Sequence, residues 1–235
     1  MDQSSGPNLE DVLRSASRLQ DIVPEAVLVG GTASALHAGH RLSLDHDHVM
    51  SDLAARYAEI VEAVEASEGW VTSVRASSPP LTLLGSLDGI EAGLRQLRRT
   101  RPLEVEEVSV GEDRTVRVPT LPEMLRVKAY LVVQRNAVRD YLDTVALAAR
   151  TGTEVAAQVL AEMDDYYADR SGEDDSVLTT LVLRLSEPAP RDRRLRTELT
   201  RYKNLEPRWH EWSEVVRACA ELADALLEIV EEDAT

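Results

Sequence analysis

Gly30-Gly31-Thr32-Ala33-Ser34-Ala35-Leu36-His37-Ala38-Gly39-His40-Arg41-Leu42-Ser43-Leu44-Asp45-His46-Asp47-His48-Val49 is the stretch that decides how this chain reads. The apolar run Val27-Leu28-Val29 precedes the two glycines, and a helical segment follows them. Asp45 and Asp47 then stand two apart ahead of Val49-Met50. Strand residues two apart share a face. Two carboxylates on one face are a means of holding a divalent cation such as Mg²⁺, which takes oxygen ligands. Gly30, Gly31 and Thr32 fall where strand turns into helix. Backbone N–H groups are unpaired there, and the helix dipole favours an anion such as phosphate. A phosphate cradle close to a metal-holding pair points to a nucleoside triphosphate as substrate.

Working outward, residues 26–29 and 44–49 read as strands and 32–39 as a helix. Residues 9–20 place Leu9, Val12, Leu13, Ala16 and Leu19 at helical spacing. Asp52 reads as an N-cap or first-turn acid for a helix through residue 67. Residues 70–75 and 81–84 read as strands separated by Ser77-Ser78-Pro79-Pro80. Residues 103–110 and 115–118 alternate around 111–113, a hairpin signal. From residue 121 the pattern is helical, with helices expected near 121–135, 138–150, 154–168, 176–186 and 208–231, and breaks at Gly152 and 171–175. The expected organisation is an α/β (α+β) core over 1–120 followed by a helical region over 121–235 that completes an active-site cleft.

Composition sets bounds on function. A chain of 235 residues with 43% hydrophobic residues has enough apolar material for a core. No apolar run is long enough to span a bilayer, and the acidic start MDQSSGPNLED is unlike a signal peptide. One cysteine, Cys219, excludes an internal disulfide and fits a reducing cytoplasm. It reads as core packing on an amphipathic helix, together with Trp209, Trp212, Val216 and Leu222. The net charge of −16 argues against a protein that coats nucleic acid non-specifically. Arg95, Arg98, Arg99 and Arg101 form a local basic cluster, readable as a solvated face or as contact with an RNA end. Lys128 and Lys203 are the two lysines among 26 basic residues.

Residues 123–143 carry the second informative pattern. Leu121, Met124, Leu125, Lys128, Leu131 and Val132 lie on one helical stripe, so the Lys128 ammonium points inward. An unpaired buried charge is costly, so triphosphate oxygens or a carboxylate must meet it. Arg139 with Asp143, and Asp140 with Asp143, have the spacing of surface helix pairs. His37, His40, His46 and His48 match no usual zinc spacing, and on a strand His46 and His48 face away from the two aspartates.

Gly30-Gly31-Thr32-Ala33 with His40-Arg41-Leu42-Ser43-Leu44-Asp45-His46-Asp47 resembles the first motif of the AbiEii/AbiGii-type nucleotidyltransferases, which include the MenT-like toxins of bacterial toxin–antitoxin pairs. Lys128-Ala129, Gln134-Arg135 and Arg139-Asp140-Tyr141-Leu142-Asp143 resemble their later motif in order and spacing. The resemblance covers about residues 25 to 150. It implies a DNA polymerase β-like nucleotidyltransferase fold with a mixed sheet, and transfer of a nucleotide from an NTP to an acceptor. It implies Asp45 and Asp47 as ligands of Mg²⁺ (or Mn²⁺), and Gly30, Gly31 and Thr32 as holding phosphates. Lys128 would neutralise triphosphate charge, and Asp140 would be the later acidic residue. Arg139 would bind phosphate or orient Asp140. Arg41 and Ser43 would lie at the nucleotide, Ser43 near the metals and, in some members, a phosphate acceptor during neutralisation by a partner. The implied acceptor is an RNA end such as tRNA, or a protein hydroxyl, and the implied partner is an antitoxin protein. Polymerase β-like enzymes usually carry a third carboxylate on a neighbouring strand. Asp88, Glu91, Glu104 and Glu106 are the candidates here, none in a clear strand context, and Asp140 is the alternative. Two other readings stay open: a nucleotide-binding interaction protein with degenerate chemistry, and a small-molecule (drug-modifying) nucleotidyltransferase.

Overall fold

The computed structural model describes residues 7–111, 113–170 and 176–233. The N-terminal MDQSSG, the middle of the expected 111–113 turn and the expected break at 171–175 lie outside the described residues. The chain divides into two compact units. One comprises residues up to Leu36 with Leu42–Thr120, and the other comprises His37–Arg41 with the chain from Leu121 onward.

The first unit is α+β. Helix α1 (Leu9–Ile22) opens on a capping box in which Asn8 and Asp11 exchange side-chain and backbone hydrogen bonds. Strand β1 (Val27–Val29) runs straight into helix α2 (Gly30–Ala38). Gly30 makes that corner with φ 75°, a left-handed conformation that glycine takes without a Cβ penalty. Next come β2 (His46–Met50), helix α3 (Leu53–Glu65), β3 (Trp70–Thr72), β4 (Thr82–Leu87) and β5 (Ile90–Gln96), and then the hairpin of β6 (Val105–Ser109) and β7 (Thr115–Pro119). Asp52 stands at the N-cap of α3, but its carboxylate accepts from Arg56 rather than from the helix backbone.

The five-stranded sheet has the order β1-β2-β5-β4-β3. Its β2–β5 pair is parallel and the other three pairs are antiparallel, so the sheet is mixed as expected. One face packs on α1 and α3 through Leu19, Met50, Leu53, Ile60, Val64, Trp70, Leu83, Leu87 and Leu94. Strand β5 is the strand with no counterpart in the sequence reading. Its residues Ile90-Glu91-Ala92-Gly93-Leu94-Arg95-Gln96 include Ala and Gly, which are poor strand formers, and no β-branched residue after Ile90. It is also the strand beside β2.

The second unit is helical: α4 (Leu121–Gln134), α5 (Val138–Thr151), α6 (Thr153–Ala161), the single turn α7 (Met163–Tyr166), α8 (Val177–Ser186) and α9 (Trp212–Asp233). The helix expected over 154–168 is broken at Glu162 into α6 and α7. Trp209 is buried as expected, but in a short 3-10 turn ahead of α9. The inward stripe of α9 runs Val215, Cys219, Leu222, Ala223 and Leu226, so Val215 takes the place expected for Val216. Cys219 is buried, and burial pushes its thiol pKa up, which makes it inert packing. The segment His37–Arg41 is fastened to this unit by the Glu206 N–H, which donates to the His40 carbonyl at 2.8 Å. Among the described residues no helix is long and apolar enough to cross a membrane.

Candidate functional site

On β2 burial alternates, with His46, His48 and Met50 inside and Asp47 and Val49 partly exposed. Asp45 sits at a bend one residue before the strand and is exposed. The local chain fixes it from two sides. Thr32 Oγ1 on α2 donates to the Asp45 carbonyl at 2.5 Å, and Ser43 Oγ donates to Asp45 Oδ1 at 2.7 Å. Asp47 stands opposite Val29 across the β1–β2 ladder, which puts it beside the Gly30 corner. A Cβ on Gly30 would come within 3.3 Å of the Asp47 Cβ.

Across the other ladder Asp47 faces Gly93 of β5. A Cβ there would lie 2.6 Å from Asp47 Oδ1 and 2.8 Å from Leu84 Cδ2. Gly93 therefore makes room for the carboxylate. Gly93→Ala should displace it and overpack the sheet, at a cost of about 1–3 kcal/mol. A melt should show that loss, and added Mn²⁺ should recover little of it. A melt like that of the parent protein would mean that the carboxylate has room elsewhere.

Arg95, two residues beyond Gly93 and on the same face, holds Asp47 Oδ1 through Nε at 3.2 Å. Nothing in its sequence context marked it beyond membership of the basic cluster. Of its companions, Arg98 is exposed, while Arg99 is buried with its guanidinium on the carbonyls of Arg101 and Pro102.

Beneath the aspartates, His46 and His48 point into the core with their rings edge to face. His46 Nε2 hydrogen-bonds with Ser15 Oγ at 3.0 Å. Burial lowers the His46 pKa to about 4, against the opposing pull of Asp45, and holds His48 well below the usual value with His46 adding to the effect. Both rings are neutral packing groups near pH 7.

The candidates for a third carboxylate are placed as follows. Asp88 is in the β4–β5 turn at φ 52° and pairs with Arg18. Glu104 precedes β6, and Glu106 lies on it, outside the five-stranded sheet. Glu91 precedes Ala92, the partner of His46, so it stands at the level of Asp45 on the exposed side of β5. Among the described residues no three His, Cys, Asp or Glu side chains gather as a metal-binding group. The donor set is thus a pair. Asp45 Oδ2 and Asp47 Oδ2 accept no hydrogen bond from a described residue. Two such oxygens, with Asp47 in space kept clear by Gly30 and Gly93, suit a hard divalent cation completed by water and substrate oxygens.

The helical unit holds the other predicted residues in two clusters. Asp143, buried on α5, accepts from four directions: Lys128 Nζ at 2.7 Å, Arg41 Nε at 2.8 Å, Arg41 Nη2 at 3.0 Å and His40 Nε2 at 2.8 Å. The Arg41 guanidinium also lies over the Tyr202 ring. Burial disfavours ionisation of Asp143. The Lys128 ammonium and the Arg41 guanidinium, with hydrogen bonds from His40 and Arg41, outweigh that and hold its carboxyl well below the usual range. A carboxylate, then, meets the inward-pointing Lys128. Asp140, fully buried, accepts from Arg135 Nη2 at 2.5 Å and Nε at 3.2 Å. Arg135, rather than Arg139, orients it, and Arg139 is exposed. Asp143 is the hub that the sequence reading left without a role.

No protein-family model matches the chain. Among solved structures it resembles MenT4, a nucleotidyltransferase toxin from Mycobacterium tuberculosis H37Rv, at TM-score 0.57 and 18% identity over 92% of this chain and 83% of that one. It also resembles a protein from H. pylori described as a nucleotidyltransferase, at TM-score 0.51 and 15% identity over 95% of both chains. Curated relatives include the heme uptake protein MmpL11 of Mycobacterium tuberculosis, 36% identical over 131 residues, and its counterpart in Mycobacterium leprae, a probable transport protein, 34% identical over 132. Each match covers 56% of this chain, which spans only about an eighth of the length of those relatives.

Proposed function

We propose that a chain with this nucleotidyltransferase fold transfers a nucleotide from an NTP to an acceptor, with Mg²⁺ or Mn²⁺ held by Asp45 and Asp47. The observation that carries the reading is the placement of Asp47 between Gly30 and Gly93, with Asp45 fixed two residues before it by Thr32 and Ser43. A bound divalent cation would neutralise phosphate oxygens as pyrophosphate leaves. Asp45 and Asp47 would hold it there. The Gly30-Gly31-Thr32 corner offers the first N–H groups of α2 to phosphate. Ser43 keeps the Asp45 carboxylate in one orientation through its hydrogen bond. In the helical unit, Lys128 and Asp140 belong to the same reading as the cation and acid of the later motif.

The acceptor is read as an RNA end, with tRNA the first to try, and the protein as the toxin of a toxin–antitoxin pair. The fold shared with a nucleotidyltransferase toxin supports this, as does Arg95 at the carboxylate pair with the exposed Arg98 near it in sequence. The test is incubation of the protein with each α-labelled NTP and total RNA, with and without Mg²⁺. Label on RNA in Mg²⁺ alone is the expected result. Label on a small molecule, or on the protein, would move the acceptor. No transfer with any NTP in Mg²⁺ would sink the reading.

A further inference from the structure

Residues 191–203 read RDRRLRTELTRYK and hold six basic and two acidic groups, a net +4 in a chain of −16, so the remainder carries −20. They form a strap between α8 and α9, with 3-10 turns at Arg193–Thr197 and Leu199–Arg201. The strap is tied down on its inner side. The Arg191 N–H donates to the Asn136 carbonyl at 2.8 Å, and Leu199 is buried. Asp192 Oδ1 accepts from the Val138 N–H at 2.8 Å, so this carboxylate is turned to the start of α5. Glu198 pairs with Arg201. Among the described residues, Arg191, Arg193, Arg194, Arg196 and Lys203 meet no carboxylate within ion-pair distance. Four of these five are exposed, and Arg196 is half-buried with Nε on the Arg193 carbonyl. Exposed arginines elsewhere, such as Arg14, Arg114 and Arg217, have carboxylates beside them.

Cations held together without counter-charges repel one another, and a polyanion relieves that repulsion. Residues three apart on a 3-10 turn eclipse, about 6 Å along its axis, so Arg193 and Arg196 stand in line. A narrow line of cations fits a strand whose charges recur at short, regular intervals, as phosphodiesters do. A broad acidic protein face would press against the −20 carried elsewhere, whereas a strand can lie along the strap alone. Tyr202, half-buried in the same strap, has Arg41 over its ring and Arg139 near enough for its charge to act on the phenol. Aromatic and basic side chains together are a means of holding single-stranded nucleic acid.

We infer that the strap over residues 191–203 is a docking surface for the phosphate backbone of RNA. The inference rests on the reading of RNA as acceptor and adds to it the surface that holds the strand. A short strap also fits the net acidity of the chain, which opposes coating of nucleic acid rather than contact at one place.

The test titrates the full chain against fluorescein-labelled tRNA by anisotropy over a range of salt, in EDTA and without NTP. Binding by the wild type should weaken steeply with salt. The triple variant Arg193→Gln/Arg194→Gln/Arg196→Gln should have a slope of log K on log salt shallower by about two to three, and affinity at 0.1 M salt lower by about tenfold or more. Lysine at the same three positions should keep the wild-type slope, because the charge is kept. Arg14→Gln/Arg75→Gln/Arg150→Gln, with the same loss of charge elsewhere, should bind close to the wild type. Poly-glutamate at matched charge should displace little of the tRNA. An unchanged slope in the strap variant would overturn the inference, as would an equal loss in the remote one. Displacement by poly-glutamate at matched charge would also overturn it, in favour of an acidic protein partner. Those outcomes leave nucleotide transfer standing. A wild type that binds no tRNA overturns the inference and removes RNA as the acceptor, and the labelled-NTP assay then decides separately whether transfer occurs to anything else.

Discussion

Asp45→Ala is expected to lower nucleotide transfer by more than about 100-fold, the upper end of what losing a group merely behind a metal ligand costs. The fold should survive. Asp45 is exposed, and among the described residues its side chain accepts one hydrogen bond, from Ser43. Its removal also relieves repulsion from Asp47, so the metal-free variant should melt close to the wild type. A ligand that binds the folded state alone raises the melting temperature by mass action. Mg²⁺ with NTP should therefore raise the melt of the wild type and leave Asp45→Ala unmoved. Equal shifts in both proteins would mean that nucleotide is held without this pair. No shift and no transfer in either would favour an interaction protein with degenerate chemistry.

Asp143→Ala should act on stability. It removes the carboxylate that Lys128, Arg41 and His40 converge on and leaves two buried cations facing each other. Breaking a buried charge pair in this way costs about 3–5 kcal/mol, and the melting temperature should fall by roughly 6–20 °C for a chain of this size. Lys128→Met should cost less, because Asp143 keeps Arg41. A fall in NTP affinity for Lys128→Met, measured where the variant is folded, would assign Lys128 to phosphate. Unchanged affinity would leave it as the counter-ion of Asp143. The pH dependence has a definite sign. The Asp143 pKa is depressed in the folded state, so its contribution is fully present above the unfolded carboxyl value of about 3.9 and is lost as pH falls through the folded value. Acid melts of the wild type should steepen below about pH 4 relative to Asp143→Ala. Parallel curves would show that Asp143 does not carry that charge.

Much of the first unit was legible because its signals are local. The strand at Val27–Val29, the Gly30 corner and the alternation through His46–Met50 can each be read within a few residues. Strand β5 was not legible, and the cause is chemical. Gly93 is there to leave room for a carboxylate on another strand, and the glycine that clears this space erases the strand signal around it. Arg95 was hidden for the same reason, since its meaning depends on a neighbour 48 residues away. In the helical unit the inward direction of Lys128 followed from helical period, but its partner did not. Asp143 read as a surface pair because i,i+4 spacing favours local partners, whereas burial gave it partners from α4 and from the segment ahead of β2.

The allegiance of His37–Arg41 to the helical unit bears on how the chain can be made. Arg41 and Asp143 lie 102 positions apart. During synthesis from the N-terminus, His40 and Arg41 leave the ribosome long before the helices that receive them. The sheet can close from the chain up to Leu36 and Leu42–Thr120 while this five-residue segment waits, its two basic side chains still in water. A fragment starting at Leu121 would never receive them, and Asp143 would be left in it with Lys128 as its one cation from this set. The helical half is thus not a detachable cassette. Any split, fusion or circular permutation of this protein has to carry residues 37–41 along with it.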